Sequence, residues 1–205
     1  TPVYLAGTGM TAEDEPDIGG IETALAMCET IIEWSLRAQA KAGAAAVFVC
    51  EPAANIAYLS PNQLEAGSDI FDRFVMQPNR RLKALLDELG VALIFHECGE
   101  LLDSMVEAFG TLKPAVLSLG SSRVLWEDQR LIPKDVVLYG NLPTKKFYSD
   151  ELVTVEQARE LATQLSAKMK ETGHPFILGS ECDVLSVVGS ENTIKAKVDA
   201  FLDCG

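Results

Sequence analysis

Short apolar runs recur along the chain with longer amphipathic stretches between them, a pattern that predicts alternating strands and helices. The predicted strands are 3–6, 46–50, 91–95, 115–119, 135–139 and 175–179. The predicted helices are 20–42, 69–89, 100–109, 123–130, 154–172 and 190–203. Thr154 with Gln157 indicates a capping box at the start of the fifth helix, and Gly173 followed by Pro175 ends it.

The alternation of strand and helix predicts an α/β fold in which a parallel sheet is joined by right-handed crossovers. The spacing of the units is close to the ~31 residues expected when about 250 residues form eight units. Residues 1–205 are therefore expected to form a single domain of about six βα units. Either the sheet is open and doubly wound, or it is a (β/α)8 TIM barrel that lacks its opening strands. In both architectures reactive groups lie beyond the carboxyl ends of strands.

Composition and charge narrow the class of protein. With 48% hydrophobic and 23% charged residues, the chain has the composition of an ordinary globular domain. The net charge of −13 argues against a nucleic-acid or anionic-membrane surface, because both need clustered basic residues. The longest apolar runs fall far short of a membrane span. The odd number of cysteines, 5 in widely spaced positions, favours free or metal-bound thiols in a reducing cytoplasm.

A histidine and two cysteines follow predicted strands and suggest a zinc site. His96 and Cys98 end the third strand, and Cys182 comes soon after the sixth. Side chains alternate along a strand, so positions 96 and 98 face the same side. One imidazole and two thiolates would fill three corners of a zinc tetrahedron and leave the fourth open, as in catalytic rather than structural sites.

Two further residues at the same predicted rim are candidates for the site. Glu51 directly follows the second strand and is interpreted as an exchangeable fourth ligand or as a carboxylate that orients substrate. Asn141, in the segment Gly140–Pro143 after the fifth strand, offers both a donor and an acceptor to a substrate. For both residues a plain loop or turn position is the alternative.

Three segments resemble segments of a known family. Residues 1–6 are similar to a Gly-Pro-x-Thr-Leu-Ala strand, and Lys41–Ala44 leads into the next strand as an Ala-Gly-Ala-Asp segment does. Gly140–Pro143 is similar to a Gly-Asn-Leu-Asp-Pro segment. The family whose segments they resemble is the uroporphyrinogen decarboxylase superfamily, and the fold of that superfamily is a TIM barrel. The chain resembles the later part of a full-length member, which implies that the first strands are absent.

The candidate metal ligands indicate which branch of the superfamily the chain resembles. The pattern His-x-Cys…Cys at His96, Cys98 and Cys182 is similar to that of zinc methyltransferases, whereas decarboxylases carry a Gly-His-Gly segment near the last position. The resemblance implies Zn²⁺ as cofactor, a methylated corrinoid (methylcobalamin) on a partner protein as methyl donor, and a small thiol such as coenzyme M as acceptor. The alternatives are a tetrapyrrole decarboxylase without metal and a noncatalytic zinc scaffold. The two exposed sheet edges of a truncated barrel also predict pairing with an upstream segment or a second copy, so a homo-oligomer is expected as one outcome.

Overall fold

The computed structural model describes residues 2–204, in which five β-strands form one parallel sheet ordered as in the chain. The strands are β1 (Ala46–Cys50), β2 (Ala92–Glu97), β3 (Val116–Leu119), β4 (Val137–Leu142) and β5 (Phe176–Ser180). The α-helices are α1 (Pro2–Ala6), α2 (Pro16–Lys41), α3 (Pro61–Glu65), α4 (Gln77–Leu89), α5 (Asp103–Thr111), α6 (Leu125–Asp128), α7 (Val155–Thr172) and α8 (Glu191–Leu202). The chain divides into two units, Thr1–Ile94 and Phe95–Gly205.

The first unit contains α1 to α4, β1 and the start of β2. Helix α2 begins with Pro16 in its first turn, where a missing N–H costs nothing, and the Glu15 side chain accepts a hydrogen bond from the Asp17 N–H. A π-helical turn, Asp72–Met76, runs directly into α4, which ends at Gly90 in the left-handed conformation. The apolar core of this unit is fully or nearly fully buried and includes Ile18, Leu36, Ile70, Met76 and Leu86.

The predicted first strand at 3–6 is wrong, because this segment is the short helix α1. Its backbone closes a helical turn, with the Gly7 N–H donating to the Val3 carbonyl at 3.1 Å. The Gln63 side chain donates to the Tyr4 carbonyl at 2.8 Å. A short apolar run satisfies a strand or a buried helical turn equally well, and a proline at the first helical position does not oppose the helix. Residues 2–204 therefore contain five strands rather than the expected six.

The second unit contains the end of β2 and all later elements. β3 pairs in parallel with β4, and β4 with β5, so that Asn141 lies opposite Gly179. The predicted capping box is present, since Thr154 and Gln157 each bond the other's backbone N–H, and α7 ends at Gly173 in the left-handed conformation. Large apolar side chains that are almost completely buried form the core, among them Phe95, Phe109, Leu117, Leu119, Leu138 and Phe147.

Two strands extend further than their apolar runs indicate. β2 continues to Glu97, so His96 lies inside the strand. β4 continues to Leu142, so Gly140 and Asn141 are strand residues and not the turn that the sequence indicates. Ladder hydrogen bonds to a neighbouring strand do not depend on side-chain polarity, so pairing carries a strand past the end of its apolar run. Within residues 2–204 no helix is both long and apolar enough to cross a membrane.

Candidate metal centre

Three potential metal ligands come together in the second unit. His96 lies near the end of β2, Cys98 follows that strand, and Cys182 follows β5. One ligand atom from each side chain lies within 4.8 Å of the other two. The imidazole is buried and both thiols are half-buried. Among the described residues, no second group of three or more His, Cys, Asp or Glu side chains is placed so that it could hold a metal ion.

The spacing and chemistry of the three atoms fit a zinc ion. In a tetrahedral site with Zn–S of about 2.3 Å and Zn–N of about 2.0–2.1 Å, ligand atoms are separated by roughly 3.5–3.8 Å. Since the three atoms already lie within 4.8 Å, small side-chain rotations bring them to that spacing. Nitrogen and thiolate sulfur are the donors that zinc prefers, and three ligands leave one coordination position for another molecule.

The His96 imidazole is oriented by a buried hydroxyl on the neighbouring strand. Its Nδ1 lies 2.9 Å from the Oγ of Ser118 on β3, and Ser118 is almost completely buried. A proton on Nδ1 donated to this hydroxyl leaves the lone pair on Nε2, as in metal-binding histidines that are held by an outer hydrogen bond. Burial lowers the pKa of His96, and the charge of Lys145 lowers it further while Asp183 opposes the shift. The imidazole is therefore neutral at pH 7, the form that binds metal.

The Cys98 thiol is held close to a lysine. Burial raises the pKa of Cys98, and the adjacent Cys182 raises it further, whereas Lys145 acts in the opposite direction. The Nζ of Lys145 donates a hydrogen bond to the Cys98 sulfur at 3.6 Å. Burial alone would lower the pKa of Lys145, but Cys98, Cys182 and Glu181 together raise it above its usual value. Lys145 is therefore a fully charged ammonium beside the sulfur.

The segments that carry Cys182 and Lys145 are tied to each other. A 3-10 turn, Thr144–Lys146, follows β4, and the buried Thr144 hydroxyl lies 3.3 Å from the carbonyl oxygens of both Cys182 and Asp183. The buried Glu181 carboxylate accepts hydrogen bonds from the Lys145 N–H at 3.4 Å and from Ser121. These contacts set the position of the lysine relative to the sulfur atoms.

Gly120, one residue past β3, packs directly on the backbone of Cys98. A Cβ atom at this position would lie 2.6 Å from the Cys98 carbonyl oxygen and 2.8 Å from its Cα. The Gly120 N–H also donates to the Glu97 carbonyl at 3.1 Å. A side chain at position 120 would therefore require the backbone of Cys98, or the segment around position 120, to shift.

Asn141 and Glu51, the other two residues that the sequence singles out, have partners of their own. The Asn141 amide nitrogen donates to the carbonyl oxygens of Gly120 and Arg123, both at 2.8 Å. Asn141 also lines a cavity of about 530 Å³ in the second unit. Glu51 lies in the first unit, where its carboxylate accepts a hydrogen bond from Asn79 at 3.2 Å and lines a pocket among residues of α2 and α4. The substrate role of Asn141 and the catalytic role of Glu51 stay predictions.

Sequence reasoning missed the residues that surround the ligands, which are Ser118, Gly120, Lys145 and Glu181. Lys145 could have been named as a candidate from the sequence, because it follows a predicted strand and so lies at the same rim as the ligands. Ser118 had none, since a serine inside an apolar run has no distinguishing pattern.

Comparison with known proteins places the chain in a family. The profile of the family described as Uroporphyrinogen decarboxylase (URO-D) matches residues 19–202. The chain therefore belongs to the uroporphyrinogen decarboxylase family, and its parallel α/β architecture belongs to the TIM-barrel fold of that family. The match begins at residue 19, so residues 1–6, which resemble a strand of the family, lie outside it.

One solved structure that the chain resembles is a methyltransferase from Methanosarcina mazei. The TM-score is 0.58 at 16% sequence identity, and the alignment covers 82% of this chain and 44% of that one. This similarity supports the fold, and the chain spans less than half the length of that structure. No curated protein sequence matches the chain.

Proposed function

We propose that the chain is part of a zinc-dependent methyltransferase that moves a methyl group from a methylated corrinoid, carried by a partner protein, to a small thiol such as coenzyme M. The observation that carries this proposal is the meeting of His96, Cys98 and Cys182 in one cluster. Membership of the uroporphyrinogen decarboxylase family and the resemblance to a methyltransferase structure support it.

The charge of the three ligands suits a thiol acceptor. Two thiolates offset the double positive charge of zinc, and the imidazole adds none. Zinc held in this way supplies Lewis acidity, which lowers the pKa of a thiol acceptor below its free value of about 8.5 so that it reacts as the thiolate. His96, Cys98 and Cys182 would provide three of the four ligands, and the acceptor would take the fourth position.

The residues around the ligands position them for this role. Ser118 fixes the ring orientation of His96, and Thr144 bonds to the backbone carbonyls of Cys182 and the next residue. Gly120 allows the Cys98 backbone to pack closely. Outer contacts of this kind commonly change metal affinity or activity by about 10–100-fold when they are removed.

The transfer step balances without a further reactant. A lone pair of the acceptor sulfur forms the new S–C bond to the methyl carbon. The cobalt–carbon bond breaks, and its electron pair stays on cobalt, which changes formally from Co(III) to Co(I). The products are a methyl thioether, uncharged at its sulfur, and the reduced corrinoid, and the protein contributes by orienting the sulfur toward the methyl group.

The second candidate function is decarboxylation of a tetrapyrrole, which the description of the family favours. Such an activity gives no reason for two cysteines and a histidine to lie within 4.8 Å of one another. The cluster therefore favours the methyltransferase.

The proposal is tested by metal content and by methyl transfer in the same preparations. We expect about one zinc per chain, with large losses of zinc in Cys98→Ser and Cys182→Ser, because each substitution removes a ligand atom. Cys28→Ser is the matched control, since Cys28 is an exposed cysteine on α2. Elemental analysis measures the zinc, and the transfer of methyl from methylcobalamin to coenzyme M measures activity.

Unchanged zinc in both ligand variants would contradict the site. Zinc bound at these ligands without any thiol methylation, together with release of carbon dioxide from a tetrapyrrole carboxylate, would favour the decarboxylase.

A further inference from the structure

A positive charge lies next to the three candidate ligands. The Nζ of Lys145 is 3.6 Å from the Cys98 sulfur, to which it donates a hydrogen bond. Lysine carries a compact point charge with three donors, so one N–H directed at Cys98 leaves two others. The lysine is half-buried, which weakens the screening of its charge by water.

The backbone that carries this lysine is held in place by contacts with other segments of the second unit. On one side of it, the Thr144 hydroxyl bonds to the segment that carries Cys182. On the other side, the Phe147 carbonyl accepts a hydrogen bond at 2.9 Å from Lys197 of α8, which is itself fully buried. The backbone of Lys145 is bound to Glu181. The turn is therefore anchored on both sides and through its middle.

The charge count around the site shows what this lysine changes. A zinc ion with two thiolates and a neutral imidazole has no net charge, and Lys145 adds one positive charge beside it. An acceptor bound as a thiolate cancels this charge. Once its sulfur carries the methyl group, the negative charge of the thiolate has moved to the corrinoid and the sulfur is uncharged. Lys145 therefore attracts the sulfur of the acceptor but not the methylated sulfur of the product.

Two acidic residues also lie near this region, but they do not remove the effect. Glu181 is buried and bonded to Ser121 and to the Lys145 backbone, and the exposed Asp183 acts on His96. Their charges contribute equally whether or not the lysine is present. The difference that Lys145 makes between an anionic and a neutral sulfur is a pairwise attraction, and it remains.

We propose that Lys145 is a specificity-determining residue that makes the candidate metal centre bind a thiolate acceptor in preference to its methyl thioether. This inference rests on the proposed function, because it concerns the acceptor of that reaction. The chemical class of acceptor that follows is a small thiol that binds as its thiolate and leaves as a thioether with no charge on sulfur.

The test compares two ligands that differ only at sulfur. Coenzyme M and its S-methyl thioether share the same sulfonate tail, so any contact with the tail cancels in the ratio of their dissociation constants. Isothermal titration of the zinc-loaded protein gives both constants without turnover. The variants are Lys145→Met, which keeps most of the side chain's length and removes the charge, and Lys145→Arg, which keeps the charge. Lys146→Met is the control, because it removes an exposed neighbouring charge.

We expect Lys145→Met to reduce the preference for the thiolate by about tenfold or more, as one charge lost at close range in a half-buried site predicts. Lys145→Arg and Lys146→Met should stay within about twofold of the native ratio. A native ratio in Lys145→Met overturns the inference and leaves the proposed function intact. Failure of the native zinc-loaded protein to bind coenzyme M overturns the proposed function and the inference with it. Loss of zinc from Lys145→Met at saturating metal also overturns the inference, because the lysine would then hold the metal centre together.

Discussion

At the scale of single residues, Gly120 shows how closely the backbone packs around the candidate ligands. An alanine there would place its Cβ 2.6 Å from the Cys98 carbonyl oxygen, so backbone must move. We expect Gly120→Ala to destabilise the protein by about 1–3 kcal/mol, the usual range for overpacking. Because the clash is with the backbone of a candidate ligand, zinc affinity should fall as well.

The matched control for this change is Gly20→Ala. Gly20 lies within α2 with open space where a Cβ would be, so alanine should stabilise the helix by roughly 0.5–1 kcal/mol. Denaturant unfolding measures both variants, and a chelator competition measures zinc affinity. Equal zinc affinity in Gly120→Ala and the native protein would show that Cys98 can shift without leaving the ligand group.

At the scale of elements, α8 is joined to the turn after β4 by a fully buried lysine. The Nζ of Lys197 donates to the Phe147 carbonyl at 2.9 Å and pairs with Asp150 at 2.8 Å. Lys197→Met keeps much of the buried hydrocarbon but leaves the Phe147 carbonyl without this donor. An unmade hydrogen bond at a buried group costs about 1–3 kcal/mol, so a loss of that size is expected.

The two contacts of Lys197 can be separated by Asp150→Asn. Asp150 is largely exposed, with 68% of its side chain accessible, but the Lys197 side chain has no accessible surface, so asparagine removes a negative charge while its amide oxygen can still accept from the ammonium. A loss of about 1 kcal/mol is expected, because the buried ammonium keeps a neutral hydrogen-bond partner. Urea unfolding of both variants tests this. A larger loss in Asp150→Asn than in Lys197→Met would show that the ion pair, and not the bond to the carbonyl, joins the helix to the turn.

At the scale of the whole molecule, metal binding should couple stability to pH. Burial and the neighbouring Cys182 raise the pKa of Cys98, so without metal this thiol is protonated at pH 7, and zinc must displace the proton. His96 has a lowered pKa and is already neutral, so it adds no pH dependence above pH 7. Zinc affinity should therefore increase as pH rises from 7 toward 9.

A ligand at 100 times its dissociation constant stabilises the folded state by about 2.7 kcal/mol, and tighter binding stabilises it more. At a fixed excess of zinc, the increase in Tm over the metal-free protein should therefore be larger at pH 8.5 than at pH 7. Calorimetry with and without zinc measures the increase. A Tm increment that is flat or falls over this range would mean that Cys98 does not lose a proton when zinc binds.

The local sequence determined most of the secondary structure. The strand at 46–50 is confirmed residue for residue as β1, and the predicted helix at 154–172 is α7 with its capping box. These elements have strong local signals, namely an isolated β-branched and aromatic run in one case and reciprocal caps in the other. The segment at 3–6 is too short to carry such a signal, and its contacts with the rest of the first unit made it a helix.

The three candidate ligands could be predicted from the sequence, whereas the contacts that surround them could not. His96 and Cys98 are two positions apart, so the alternation of side chains along a strand places them on one side. Cys182 follows another strand of the predicted parallel sheet, so it is expected at the same edge of the sheet. The hydroxyl of Ser118, the ammonium of Lys145 and the close packing of Gly120 depend on contacts between segments about 20 to 60 residues apart. Such contacts leave no periodic pattern, because a side chain's neighbours across a sheet are set by register and packing and not by its place in the chain.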